Sequence, residues 1–258
     1  MRFMASCLFG LEKPVCDDIA ALGYGKTEVM DGHVLFDAPE SAIAECNVNF
    51  RYAERLFIVL GSFRAASFTE LFDGTASLPW EKYITKNAAF PVKGHCVRSK
   101  LFSVPDCQRI IKKAVVERLK SKYRVSYFEE TAEKYQVVFF ILKDTAYLML
   151  DTTGDALHKR GYRPESNLAP LRETLAAALV TFSRPRSDVI FVDPMCGSGT
   201  IAIEAALIDR HIAPGINRGF AAEEFTFLDR RIFDDAREKA RSLIAPAQRR
   251  IFGSDIDP

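Results

Sequence analysis

Between Asp193 and Thr200 the chain reads DPMCGSGT. Gly197 and Gly199 are separated by one serine. With no Cβ on either, the backbone can come close to a ligand there. The alanine- and isoleucine-rich run that follows predicts a helix opening at these glycines, with Thr200 as its cap. Its N-terminus would turn N–H groups toward polar or charged ligand atoms. Upstream, Val189–Val192 is continuously apolar and predicts a buried strand over Asp188–Asp193. Asp193 then stands at the carboxyl end of that strand, where open parallel sheets bind ligands. The glycine spacing is neither G-x-G-x-x-G nor G-x-x-x-x-G-K-[ST], so dinucleotide and P-loop readings are not the natural ones.

A second acidic strand end lies one βαβ unit further on. A helix is predicted around Asp234–Ala245, followed by RRIFGSDIDP at Arg249–Pro258. An acid at this place holds a ribose diol in nucleotide-type folds. Asp255 is the first candidate and Asp257 the second.

DPMCGSGT followed by GSDIDP resembles the cofactor half of class I S-adenosylmethionine-dependent methyltransferases. The match is best with RNA guanine-N2 methyltransferases that carry an N-terminal THUMP domain. Gly154–Leu179 resembles the segment joining the two parts in that family. The resemblance implies S-adenosyl-L-methionine as cofactor, held by Asp193, Cys196, Gly197, Gly199 and Asp255. Cys196 is expected to be a packing or turn residue, not a nucleophile. Pro170 and Thr174 would line the cofactor pocket, or simply belong to a packing helix. The acceptor implied is the exocyclic N2 of guanine in structured RNA, rRNA or tRNA. The family's catalytic Asn-Pro-Pro-Tyr-like tetrapeptide does not occur in these 258 residues. No catalytic residue is therefore assigned. The chain is expected to be an N-terminal fragment or a broken reading frame, inactive alone. The rival readings are a non-catalytic RNA-binding module and a methyltransferase acting on another acceptor, such as DNA.

Hydrophobic residues make up 48% and charged residues 27%, as in ordinary soluble domains. No apolar run reaches the length of a membrane span and no signal peptide is visible at the N-terminus, so a cytoplasmic protein is expected. Six scattered cysteines without a C-x-x-C pair predict reduced thiols and no metal site. The formal net charge is only +1, but it is unevenly spread. Lys82–Arg124 holds twelve Lys or Arg against two acids, Asp106 and Glu117, an excess of ten. Such a run suits phosphate-rich RNA. Its candidate contacts are Lys93, Arg98, Lys100, Arg109, Lys112, Lys113 and Lys120. A solvated helix face is the bland alternative. His158–Arg163, HKRGYR, would touch RNA or merely link domains.

The elements that must position these residues alternate. A βαββαβ order over the first 65 residues predicts a ferredoxin-like unit, with a hairpin at Asp31-Gly32. A THUMP-like region over 66–155 follows, carrying a basic amphipathic helix at Cys107–Tyr123 and a hairpin at Lys143-Asp144. Residues 156–186 read as a linker and leading helix, Asn167–Thr181, with Pro170 in its first turn. Residues 187–258 read as a partial Rossmann-like methyltransferase domain. The fold class expected is thus α/β and α+β: ferredoxin-like and THUMP regions before an incomplete Rossmann-like sheet.

Overall fold

A computed structural model describes residues 1–162, 171–184, 186 and 189–256. Two compact units are present. One, the glycine-loop unit, comprises Met4–Leu56, Asp155–Phe220 and Arg230–Pro258. The other, the basic unit, comprises Met1–Phe3, Phe57–Gly154 and Ala221–Asp229.

The chain opens with β1 (Arg2–Cys7), α1 (Glu12–Ala21), β2 (Thr27–Met30), β3 (His33–Asp37), α2 (Ala42–Asn49) and β4 (Ala53–Arg64). In the glycine-loop unit the strand order is β2-β3-β1-β4, the ferredoxin-like arrangement. β2 and β3 pair antiparallel around Asp31-Gly32, and Gly32 takes a φ of +70° that suits glycine. α1 buries Pro14, Val15 and Ile19. α2 is buried over most of its surface, including Cys46 and Asn47, because α7 (Arg231–Ser242) packs on it as well.

The rest of this unit is α5 (Glu173–Phe182), β8 (Phe191–Asp193), α6 (Thr200–Asp209), α7 and β9 (Ile251–Gly253). β8 and β9 pair in parallel, with Asp193 opposite Gly253. α5 packs against α6. The expected buried strand Asp188–Asp193 is corrected here. The strand spans only three residues, and Val189, Ile190 and Val192 are exposed. Among the described residues β8 has only β9 as a strand neighbour, and α6 packs on the pair, which leaves much of the strand uncovered. Ser187, Asp188, Pro170, Asp257 and Pro258 lie outside the described residues.

In the basic unit, β4 continues and is followed by α3 (Phe68–Ser77), β5 (Val92–Val97), α4 (Val104–Tyr123), β6 (Val137–Leu142) and β7 (Thr145–Asp151). The order is β4-β7-β6-β5, with β5 and β6 parallel and the other pairs antiparallel. α4 buries Cys107, Ile111, Ala114, Val115 and Leu119, a stripe at helical spacing, and packs on α3. The β6–β7 turn uses two left-handed residues, Lys143 at +48° and Asp144 at +62°, the backbone a two-residue hairpin prefers. Cys96 and Cys107 are unbridged thiols 3.9 Å apart.

Residues 221–229 also pack in the basic unit, although in sequence they sit among the methyltransferase-like elements. Phe225 stacks on Tyr135 with centroids 4.7 Å apart, and Phe227 meets Tyr83 edge-on at 5.2 Å. The Thr226 N–H donates to the Tyr135 hydroxyl at 3.1 Å. The Ala221 and Ala222 N–H groups donate to the carbonyls of Thr153 and Thr152. This short aromatic strap is stapled down by both side chain and backbone.

Candidate functional site

The loop between β8 and α6 is built on its glycines. Gly197 and Gly199 have φ of +51° and +75°, which side-chain-bearing residues rarely adopt. A Cβ at Gly197 would point into open space. The helix cap differs from expectation. Gly199 is the N-cap residue and Thr200 is the first residue of α6, with no capping bond from a side chain. The left-handed turn at Gly199 places Thr200 already in helical backbone, where its hydroxyl cannot reach forward as a cap does.

The loop is sewn to β9. The Cys196 N–H donates to the Ser254 carbonyl at 2.9 Å, and the Ser254 N–H to the Asp193 carbonyl at 3.0 Å. The Gly197 N–H donates to Asp255 Oδ2 at 2.7 Å. The structure therefore brings Asp193, Cys196, Gly197, Gly199 and Asp255 together at the carboxyl ends of β8 and β9. Asp193 stays local, its Oδ1 3.4 Å from the Met195 nitrogen. Cys196 packs against β9, its Sγ 3.1 Å from where a Cβ on Gly253 would sit. Met195 and Ile256, 84% and 98% exposed, flank the two acids. The Gly199 N–H donates to the Cys196 carbonyl at 2.8 Å, so both glycine amides are used to shape the loop, and the exposed Asp255 carboxylate beside the helix N-terminus can accept from hydroxyl groups. Among the described residues, no three His, Cys, Asp or Glu side chains are grouped to hold a metal ion.

Behind the loop lies a polar cluster centred on Glu204, a residue without a local signal in the sequence. Glu204, one turn along α6, is fully buried. Its Oε1 accepts from Arg160 Nε at 3.3 Å and from the Tyr162 hydroxyl at 3.2 Å. Its Oε2 lies 3.7 Å from Arg51 Nη1. Arg160, itself buried, also donates to the carbonyls of Leu157 and Arg51. Asp18 fixes the turn at Arg51 by accepting from the Arg51 and Tyr52 N–H groups. Burial pushes the Asp18 carboxyl up to about 6, against the pull of those bonds and of the Arg51 charge. Within HKRGYR, His158, Arg160 and Tyr162 are hydrogen-bonded inside the unit, His158 Nδ1 lying 2.7 Å from Glu54 Oε2, while Arg163 lies outside the described residues. Thr174 is buried and donates to Glu54 Oε1 at 2.6 Å, so its hydroxyl is engaged within the protein.

The basic candidates do not form one uniform face. Lys93, Arg98 and Lys100 are exposed on β5 and the loop after it, and Arg109 and Lys113 are exposed on α4. Lys120 is half-buried on the same helix. Lys112 is occupied. Its ammonium sits 3.5 Å from the Phe90 ring centroid, 3.1 Å from the Phe90 carbonyl and 2.5 Å from Glu130 Oε1. Arg109 is paired with Asp106. Arg118 forms a two-pronged pair with Glu81 at 2.7 and 3.0 Å, which pulls the Glu81 carboxyl down to about 2. Part of the charge excess is thus neutralised by acids outside the run. No helix of the described residues is long and apolar enough to cross a membrane.

Three known domain families match the chain. Residues 2–57 match the RlmL ferredoxin-like domain, 65–151 the THUMP domain, and 160–258 the RMKL-like methyltransferase domain. The chain is 45% identical over 259 residues to the putative RNA methyltransferase YpsC of Bacillus subtilis, covering 98% of this chain and 66% of that protein. It spans a smaller share, 37%, of the ribosomal RNA large subunit methyltransferase K/L of Aliivibrio fischeri. Among solved structures, a Listeria monocytogenes protein described as a predicted N6-adenine-specific DNA methylase is 46% identical. Its TM-score is 0.94, covering 99% of this chain and 68% of that one. SMU.472, a putative methyltransferase complexed with SAH, is 40% identical with a TM-score of 0.92, covering 99% and 68%. The chain belongs to the family that joins a ferredoxin-like module and a THUMP domain to an RMKL-like, Rossmann-like methyltransferase domain.

Proposed function

We propose that this chain carries the cofactor half and the RNA-binding half of an S-adenosylmethionine-dependent RNA methyltransferase. The carrying observation is the meeting of Asp255 with the Gly197 amide at the mouth of a loop with open space in front of Gly197. Those residues fit the cofactor. The open face of the turn at Gly197 would receive its polar tail, and Asp255, which already accepts the Gly197 N–H, would also accept hydrogen bonds from its ribose. The bound sulfonium supplies an electrophilic methyl group, and a relative solved with SAH supports this choice. Cys196 packs against β9 and takes no covalent part, since displacement at the methyl carbon needs no protein adduct. Positioning is then the main contribution the protein makes.

The acceptor we propose is the exocyclic N2 of guanine in structured RNA, either rRNA or tRNA. The THUMP domain and a relative described as a putative RNA methyltransferase support RNA. Lys93, Arg98, Lys100, Arg109, Lys113 and Lys120 would contact phosphates, which gives affinity for shape and charge more than for sequence. Lys112 would support that face from within. The 258 residues alone are proposed to bind without turnover, because they contain no Asn-Pro-Pro-Tyr-like tetrapeptide to accept hydrogen bonds from the amine. The divisions 1–65, 66–155, 156–186 and 187–258 are proposed as the functional segments, acting in a cytoplasmic protein.

A DNA acceptor is the second reading, favoured by the description of the Listeria structure. Nucleoside analysis separates the two. Deleting the gene should remove N2-methylguanosine from rRNA or tRNA and leave DNA unchanged. Loss of N6-methyladenine from DNA, with RNA unaltered, would favour the second reading.

A further inference from the structure

We propose that Glu204 is a positioning residue through which the ferredoxin-like module sets the glycine loop. The inference rests on the reading of that loop as a cofactor site. α6 begins at Thr200, capped by Gly199, and carries Glu204 at its second turn. Residues near the loop can hold it in place only if the helix behind it is itself fixed. Among the described residues three side chains converge on the Glu204 carboxylate, and none of the three belongs to the sheet pair β8–β9. Arg51 comes from the turn that enters β4, while Arg160 and Tyr162 come from the connection before α5.

The same turn grips the far end of α6. Arg51 Nη2 donates to the Ile212 carbonyl at 2.8 Å, three residues past the helix. The Gly215 N–H then donates to the Val48 carbonyl at 2.8 Å, at the end of α2. A Cβ on Gly215 would lie 2.6 Å from the Asn47 carbonyl oxygen, so the two backbones touch. The ferredoxin-like module therefore holds α6 both beside the loop and beyond its C-terminus. One of those two holds is a buried carboxylate between two guanidinium groups. Neutralising it leaves buried cations without a counter-charge, and the loosening passes to the loop through α6, where the Ile203 N–H donates to the Gly199 carbonyl at 2.8 Å.

The test uses the full 258-residue chain and amide hydrogen exchange read by mass spectrometry. Glu204→Gln keeps the shape and removes the charge. Exchange in peptides covering 194–204 is expected to rise about tenfold or more. Peptides from α2 and α7 should change less than about twofold. Glu204→Asp, which restores the charge, should recover part of the protection. Tyr162→Phe removes the hydroxyl's bond to Glu204 without touching charge and should raise loop exchange by a few-fold, which keeps the test open if Glu204→Gln folds poorly. Lys239→Ala, which breaks the α7–α2 contact with Glu45 instead, should leave the loop unchanged. Unchanged loop exchange in both Glu204→Gln and Tyr162→Phe would overturn the proposal. So would a uniform rise across the unit, which marks a merely structural ion cluster. S-adenosylhomocysteine titrated into the same samples tests the underlying reading separately. If the unaltered chain fails to bind it, the cofactor assignment falls while the exchange data still decide the role of Glu204.

Discussion

The strap at residues 221–229 gives the sharpest stability prediction. Phe225 is almost fully buried in the basic unit, stacked on Tyr135 and 5.5 Å from the Phe227 ring. Phe225→Ala deletes the whole ring. Such truncations cost about 3–5 kcal/mol, the spread depending on how far the site can collapse. Phe227 is half-buried and can lean in, which favours the lower end, about 3 kcal/mol. The chain has one tryptophan, Trp80, fully buried in the same unit. Its fluorescence therefore reports unfolding of that unit. With a urea slope of about 1.5 kcal/mol per molar, the midpoint should fall by about 2 M. A shift smaller than about 0.5 M would mean that the strap only lies on the unit and does not belong to its core. Tyr135→Phe keeps the stack and loses the bond from Thr226, and should cost only about 1 kcal/mol.

Three further outcomes follow from charge. The Asp18 carboxyl titrates near 6 in the fold against 3.8 outside it, so the folded state holds the extra proton between those values. Stability should therefore fall as pH rises from about 4 to about 6, by at most about 3 kcal/mol and by less for a half-buried group, and Asp18→Asn should flatten the profile in urea titrations at several pH values. Glu81 shifts the other way, held near 2 by Arg118. Its contribution is present above about 4.5 and lost as pH falls toward 2, and Glu81→Gln should cost about 1 kcal/mol at pH 7 by thermal melting, since the pair is partly solvated. Reversing Arg98, Lys100 and Lys113 to Glu should weaken binding to all structured RNAs alike and lower the slope of log affinity against log salt by about 3 in filter binding. Binding that ignores salt would reduce the basic face to solvated surface.

Local signals were readable where local physics decides the structure. Asp31-Gly32 specifies its hairpin because Gly32 tolerates a positive φ, and α4 declares itself by apolar residues every three to four positions. The βαββαβ order followed from the same two periodicities. Features set by distant partners were not readable. Glu204 on an alanine-rich helix looks like a solvated acid until Arg51 and Arg160 are placed around it. Phe225 and Phe227 are two aromatics at strand-like spacing, and nothing local says that Tyr135 awaits them. Lys112 counted as available charge, although Glu130 and the Phe90 ring take it up. Thr200 looked like a cap because its residue type favours one, but the backbone at Gly199 had already taken that position. Apolar composition made β8 look longer and deeper than it is, because burial depends on neighbouring strands more than on the strand's own residues.

Isothermal titration of S-adenosylhomocysteine tests the cofactor assignment most directly. The chain should bind one equivalent saturably. Asp255→Ala should weaken binding about tenfold or more, the worth of a charge-assisted bond of roughly 1.5–3 kcal/mol. Its melting temperature should change little, because Asp255 is exposed. Affinity that is equal in the two proteins would remove Asp255 from the site, and no binding to the unaltered chain would contradict the assignment of the loop itself.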